Sequence, residues 1–466
     1  MMDQQLLEKI DRAIEAHRPD IARTTIEMVN IKSVRGEPQP GAPFGEGPKA
    51  VLDAAIRLGE TEGFTCTDYG VGVVSLAMKA SQPDLGIWVH GDVVPEGSGW
   101  DFEPYNAVEH EGCIVGRGAA DNKGQFAAFF HLLRIFKELN IPLKYNPALY
   151  VGSNEETGMG DLAGLPDNED AKGFLNVCTP PRISLVPDGG FPVGYGGKGG
   201  MSMKLRSKTP LHGWTFTAGA ETAPGRAEAV LPSPITVSLP ECVVDGCTAS
   251  SETPPRHGAH PDPNGNMITN LSAALAASSL IPEEDRYIME FLATVSKDIH
   301  GHHLDTAFSA EPMTPLTVFA HRVTCDNGYV TLWLNIRYPA GITYEQIVER
   351  VSKAADRLGF TVAESKSGTP AYLIDPATPL VTLLCDIANS VTGDDGKPYT
   401  ASGGTYAHRL PNAYIFGSSA NQPPASFPAG RGGAHGIDEA VSLDRLQRAM
   451  KIYARALLAI NEAEEW

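Results

Sequence analysis

Basic residues are scarce in this chain. Its 466 residues carry 37 Lys and Arg against 56 Asp and Glu, a formal net charge of -19. Such a surface repels phosphate backbones, so neither nucleic acid nor an anionic membrane is an expected partner. Long apolar runs are missing too, and no segment suffices to span a bilayer. The first twenty residues hold acids early and no unbroken apolar core, which predicts no signal peptide. The seven cysteines are scattered and include no Cys-x-x-Cys pair, which argues against a disulfide framework or Cys-ligated zinc and for a cytoplasmic location. No GxSxG elbow and no Walker A motif occurs. Gly194-Tyr195-Gly196-Gly197-Lys198-Gly199 matches GxGxxG by count, but strand-like Met201 to Leu205 follows it where a dinucleotide site needs a helix.

What is present is a sequence 42% hydrophobic, enough for packed cores in two to three domains at roughly 150 residues each. Leu6, Leu7, Ile10 and Ile14 fall on one face of an amphipathic helix. Short apolar runs at Ile87-Trp88-Val89, Leu149-Tyr150-Val151 and Ile183 to Val186 predict buried strands, with a Phe-rich helix (Phe126, Phe129, Phe130, Phe136) between the first two. That alternation predicts an α/β domain with a mainly parallel sheet. The texture changes near Gly194. An alternating strand (Val330, Leu332, Leu334, Ile336) and a helix (Ile347, Val348, Val351, Ala355, Leu358) then predict an α+β domain, and Thr378-Pro379 opens a helix that returns to the first texture. The expected organisation is a first domain of residues 1–193 and 380–466, interrupted by an inserted domain of 194–379.

The chemistry concentrates at presumed strand ends. One strand runs into His90-Gly91-Asp92, a second through Gly-Ser-Asn into Glu155-Glu156, a third into Pro187-Asp188. Asp121 follows Gly116-Arg117-Gly118 and opens the Phe-rich helix. Ligands of open α/β sheets bind beyond the carboxyl ends of the strands, where the loops converge. Carboxylates and an imidazole gathered there without a cation would repel one another and pay for desolvation. A divalent metal removes that objection, and Asp92 suits the role of orienting a ligating His90. The tract His300-Gly301-His302-His303 has no strand before it and reads as a solvated loop.

At these residues the sequence resembles the dinuclear zinc peptidases of the aminoacylase/carboxypeptidase/dipeptidase family, most closely its dipeptidase V branch. The stretches that carry the resemblance are VHGDVVPEGSGW, GRGAADNKGQ, GSNEETGMGD, VPDGGFPVGYGGKGG, HGAHPDPNGN, LNIRYP, ASGGTYAH and GGAHGIDEAVSL, in family order. The resemblance implies a catalytic domain with an inserted lid. It makes His90, Asp121 and Asp188 the ligands of one metal, and Asp121, Glu156 and His435 those of another, bridged by Asp121. It also implies Glu155 as general base acting on a metal-bridging water, Asp92 as the group orienting His90, and His257 (or His260) as the oxyanion histidine. Arg337 would hold the substrate's carboxylate, and Gly403, Gly404 and Thr405 would line the substrate. The implied cofactors are two divalent ions, zinc first, with manganese or cobalt also suited to two histidines and three carboxylates. The expected activity is hydrolysis of small dipeptides with a free C-terminal carboxylate, with N-acyl amino acid deacylation or carboxypeptidase action as the alternative. A non-catalytic metal-binding protein on the same scaffold is more remote. An active monomer is expected, because the insert is long enough to replace a partner's lobe. The chain departs from the family pattern at Asn122, Gln125 and His408, and Glu228 to Pro232 lacks an asparagine common there.

Overall fold

The computed structural model describes residues 3–165, 172–254, 261–262, 265–418 and 423–463. The chain divides into two compact units: Met1–Gly196 with Ile374–Tyr399 and Thr405–Trp466, and Gly197–Leu373 with Thr400–Gly404. The first unit keeps Gly194 because that residue pairs with Ile415, and keeps Ile374 because its N–H donates to the Tyr195 carbonyl. These bonds place the transitions a few residues inside the span of 194–379 expected from texture alone.

The first unit opens with helices α1 (Gln4–Ala16), α2 (Arg18–Val29) and α3 (Glu46–Thr61), and α4 (Gly124–Glu138) follows. Asp3 caps α1 by accepting the N–H groups of Gln5 and Leu6. Leu7, Ile10 and Ile14 are buried as their spacing predicts. Six strands of its sheet run consecutively in the order Thr65–Asp68, Val73–Ala77, Pro147–Gly152, Leu85–His90, Ile183–Val186, Ala413–Ile415. The last four strands of that order are mutually parallel, and the first two pair antiparallel at the edge. Parallel strands buried on both faces require continuous apolar runs, and Leu85 to His90 and Pro147 to Gly152 are buried at every position. Trp88 stacks on Tyr150 with ring centroids 4.2 Å apart. The Phe-rich α4 is buried at every residue from Gly124 to Leu133, polar Gln125 and His131 included. The closing helix Leu443–Glu462 packs into the same core through Leu446, Met450, Tyr453 and Leu457.

The second unit is built on an antiparallel sheet. Its strands lie in the order Val243–Asp245, Thr248–Glu252, Ala223–Val230, Thr215–Ala220, Thr317–Asp326, Tyr329–Tyr338, Gly199–Ser207, Phe360–Ser367. Val330, Leu332, Leu334 and Ile336 share one buried face with residues of helices Met267–Ala276, Arg286–Lys297 and Tyr344–Arg357. This is the α+β pattern expected. Gly359 follows the last of these helices with φ +79°, the left-handed conformation that ends a helix at low cost in glycine. Thr378 does occupy the N-cap position before Pro379, but its side chain makes no capping bond. Among the described residues, no helix is long and apolar enough to cross a membrane.

Candidate active site

Parallel pairing decides where the polar groups meet. His90 is the last residue of its strand and lies opposite Gly152, so the loop after Gly152 starts level with the imidazole. The neighbouring strand delivers Asp188 just past Val186 on the same edge. Asp121 arrives from the turn that precedes α4, and His435 from a loop in which its own backbone is left-handed, φ +62°. The His435 ring stays 46% exposed while its Nε2 reaches Asp121 and Glu156.

Two groups of potential ligand atoms form there, each with its atoms within 4.8 Å of one another: His90, Asp121 and Asp188, and Asp121, Glu156 and His435. Asp121 belongs to both. Its Oδ1 lies 2.9 Å from His90 Nε2 and its Oδ2 3.1 Å from His435 Nε2, while Glu156 Oε1 lies 3.0 Å from the same His435 nitrogen. His90 Nδ1 is 3.0 Å from the main-chain carbonyl of Asp92, to which it donates. That bond leaves the Nε2 lone pair facing a carboxylate oxygen, an arrangement that needs either a second proton or a cation. A divalent ion held by these donors satisfies it, and the N/O donor set fits zinc. The Asp121–Asn122 peptide is cis.

The electrostatics point the same way. Burial, then the charge of Asp121, pushes Asp188 up to about 7. Burial raises Glu156 as well, with Asp121 adding to it. Glu155 stands well above the ordinary carboxylate range: burial dominates, His90 opposes, and Asp188, Glu156 and Asp121 raise it further. Burial opposes a charge on His90, yet Asp121 and Asp92 pull it well above its usual value. Asp121 and Glu156 lift His435 to about 11. These are carboxylates crowded out of water that only positive charge can keep ionised together.

Asp92 reaches further than orienting one ring. Its carboxylate, 3.6 Å from His90 Nδ1, accepts the backbone N–H groups of Glu155 and Glu156, each at 3.1 Å. Asp161 does the same one step earlier, accepting from Ser153 at 2.8 Å and Asn154 at 3.0 Å, and the Tyr406 hydroxyl donates to it at 2.5 Å. Two buried carboxylates thus seize four successive N–H groups of the loop that carries the glutamates. Gly152 is required beneath them, because a Cβ there would stand 1.9 Å from the Tyr406 hydroxyl. On the other side, Glu439 Oε1 accepts the N–H groups of Ala120 and Asp121, both at 3.0 Å. Its Oε2 pairs with Arg117 at 2.5 Å, and Arg117 also donates to the His435 carbonyl at 3.3 Å. Asp161, Tyr406, Arg117 and Glu439 were not singled out in the sequence. Their only signal was position inside the quoted motifs.

The other expected residues fall elsewhere. Arg337 lies in the second unit on strand Tyr329–Tyr338, opposite Gly200. It is half-buried with its Nε lacking a hydrogen-bond partner, and it makes no ion pair among the described residues; burial lowers its pKa. Gly403 and Gly404 belong to the second unit and Thr405 to the first, where Thr405 caps the short turn Tyr406–His408. His257 and His260 lie outside the described residues.

The sequence profile described as "Peptidase family M20/M25/M40" matches residues 86–459. The chain belongs to this family. As a member of peptidase family M20/M25/M40 it is a peptidase, and membership implies divalent metal ions, for which the two groups just described are candidates. The chain is 27% identical to "Putative dipeptidase YtjP" of Bacillus subtilis (strain 168), over 94% of its own length and 97% of that protein's. It is 25% identical to "Putative dipeptidase SSP1012" of Staphylococcus saprophyticus, covering 92% and 94%. Its fold is similar to that of human carnosine dipeptidase 1, with TM-score 0.58, 16% identity and coverage of 98% and 100%. It is similar also to the di-peptidase Dug1p of Saccharomyces cerevisiae, with TM-score 0.59, 15% identity and coverage of 98% and 99%. The resemblance drawn from the motifs and the α/β fold class are borne out.

Proposed function

We propose that this member of the M20/M25/M40 family is a metal-dependent dipeptidase acting on small dipeptides with a free C-terminal carboxylate. The observation that carries the reading is the placement of Glu155 beside two ligand groups that share Asp121. His90, Asp121 and Asp188 would hold one divalent ion and Asp121, Glu156 and His435 a second, zinc being the first choice. When bound, such ions supply Lewis acidity, polarising a carbonyl and making water more acidic.

The remaining chemistry belongs to the chain. Glu155 takes the proton of the attacking water and returns it to the leaving amine. A carboxylate raised by burial is suited to both halves of that exchange. Asp92 holds the His90 tautomer through its carbonyl and the Glu155 backbone through its carboxylate. Arg337 pairs with the substrate carboxylate through two parallel hydrogen bonds, for which its half-buried guanidinium has donors to spare. His257 stabilises the oxyanion, and Gly403, Gly404 and Thr405 line the substrate. The names of the YtjP and SSP1012 relatives favour dipeptides over N-acyl amino acids.

The test is a hydrolysis panel of free dipeptides, N-acetylated amino acids and longer peptides, run after chelation and again after adding zinc or manganese. Free dipeptides should be cleaved fastest, and only with metal. Full activity in metal-free protein, or preference for acetylated substrates, would overturn the proposal. The active species is proposed to be a monomer, so light scattering should return a mass near 49.7 kDa.

A further inference from the structure

A second cluster of metal-type side chains lies in the first unit, where His131 stands seven residues into α4, roughly 10 Å of helical rise past the turn that carries Asp121. His17 sits at the corner between α1 and α2, Asp20 in the first turn of α2, and His131 midway along α4. One potential ligand atom from each lies within 4.8 Å of the others. We propose that His17, Asp20 and His131 form a metal site separate from the candidate active site, which takes one divalent transition-metal ion of the zinc type and clamps the α1–α2 corner to α4.

Three observations carry this. The two Nδ1 atoms face each other at 3.4 Å, beyond the usual hydrogen-bond length. Two nitrogens on one tetrahedral zinc, each at about 2.05 Å, stand roughly 3.3 Å apart. Each ring also has a partner on its far nitrogen. His131 Nε2 lies 2.9 Å from the Thr24 hydroxyl, and His17 Nε2 lies 3.1 Å from Glu138 Oε2. The Glu138 carboxylate can only accept, which leaves His17 Nδ1 as the free lone pair, and the Thr24 hydroxyl does the same for His131 in the tautomer where it accepts; such far-side partners raise the basicity of a metal-binding histidine. Finally, His131 is 2% exposed, so an ion held by it would be shielded from bulk water on that side.

The surrounding charge permits a cation. Arg23 and Arg134 lie beside Asp20 at 2.5 and 3.7 Å, but Glu62 and Glu138 in turn neutralise Arg134. Asp20 is 29% exposed, so water can complete the coordination.

The experiment is equilibrium dialysis of the chelator-stripped full chain against zinc, with metal counted per chain, for wild type, His17→Gln and Glu138→Ala. His17 lies at the corner between α1 and α2, away from the sheet, so His17→Gln should fold and hydrolytic activity should be unchanged in it. His17→Gln should bind one zinc fewer than wild type, whatever the total. Glu138→Ala should keep the stoichiometry but weaken that one ion about tenfold. Zinc should also shift the Nδ1 resonances of both histidines in wild type. Equal zinc counts in wild type and His17→Gln, or unshifted resonances at saturation, would overturn the proposal.

Discussion

Removing the Glu439 side chain should damage both stability and the candidate active site, by amounts the structure allows to be estimated. Arg117 and Glu439 form an ion pair in which the side chains are 2% and 1% exposed. Breaking such a pair from one side leaves a charge stranded out of water and typically costs about 3–5 kcal/mol. In Glu439→Ala the N–H groups of Ala120 and Asp121 also lose their shared acceptor, each a further penalty on the order of 1–3 kcal/mol where water cannot replace it. These terms overlap, and a total near 5 kcal/mol is reasonable. At roughly 2–4 °C per kcal/mol for a domain of this size, thermal unfolding of the chelated protein should fall by about 10–20 °C. Replacing both partners, Arg117→Met with Glu439→Leu, strands no charge, so the double variant should be more stable than Glu439→Ala. Because Glu439 holds the Asp121 backbone, Glu439→Gln should weaken zinc binding by about 10–100-fold even where the fold survives. A Tm drop under about 2 °C in Glu439→Ala, or a double variant no better than the single, would refute the reasoning.

Glu155→Gln should lower kcat by about two to four orders of magnitude while leaving metal content unchanged, whereas Glu156→Gln should lose metal; counting zinc in both variants would expose reversed roles. In chelated protein Tm should fall between about pH 5 and 8. Asp188 binds its proton more tightly when folded, pushed from 3.8 to about 7, so its stabilisation is present below the unfolded value and lost as pH rises through the folded one. Glu155 and Glu156 shift in the same direction, and His435, lifted to about 11, adds a loss of the same sign. Saturating zinc should flatten the slope in calorimetry, and a Tm that rises with pH in chelator would contradict the assignment. Arg337→Ala should cut kcat/KM for free dipeptides by two to three orders of magnitude, from roughly 2–5 kcal/mol for an orphaned charge partner. C-terminally amidated dipeptides should lose little more, and equal losses on both would assign Arg337 to the fold instead.

Much of this protein is local and could be read from the chain. The apolar runs around Trp88, Tyr150 and Leu185 are long enough to declare buried parallel strands, because both faces of each are covered. His90 and Asp188 stand at or just beyond strand ends for the same reason, and spacing along one segment suffices to see it. The alternation through Val330 and Ile336 likewise declares a sheet with one wet face.

What spacing could not reach are pairings between segments far apart. Glu439 acts on Arg117 and Asp121 more than 300 residues away, so nothing near it in sequence reveals that its carboxylate is an acceptor for their backbone and side chain. Asp161 and Tyr406 meet only because Gly152 leaves room for them under the strand end. Asp92 was legible as a partner of His90, two residues off, but its grip on Glu155 and Glu156 depends on two parallel strands lying in register. The chain alone thus determined which residue types stand at the ends of which strands, since that follows from local periodicity. Tertiary structure alone decided which buried carboxylates hold backbone N–H groups and which face cations, since desolvation and hydrogen bonding depend on what packs around each group.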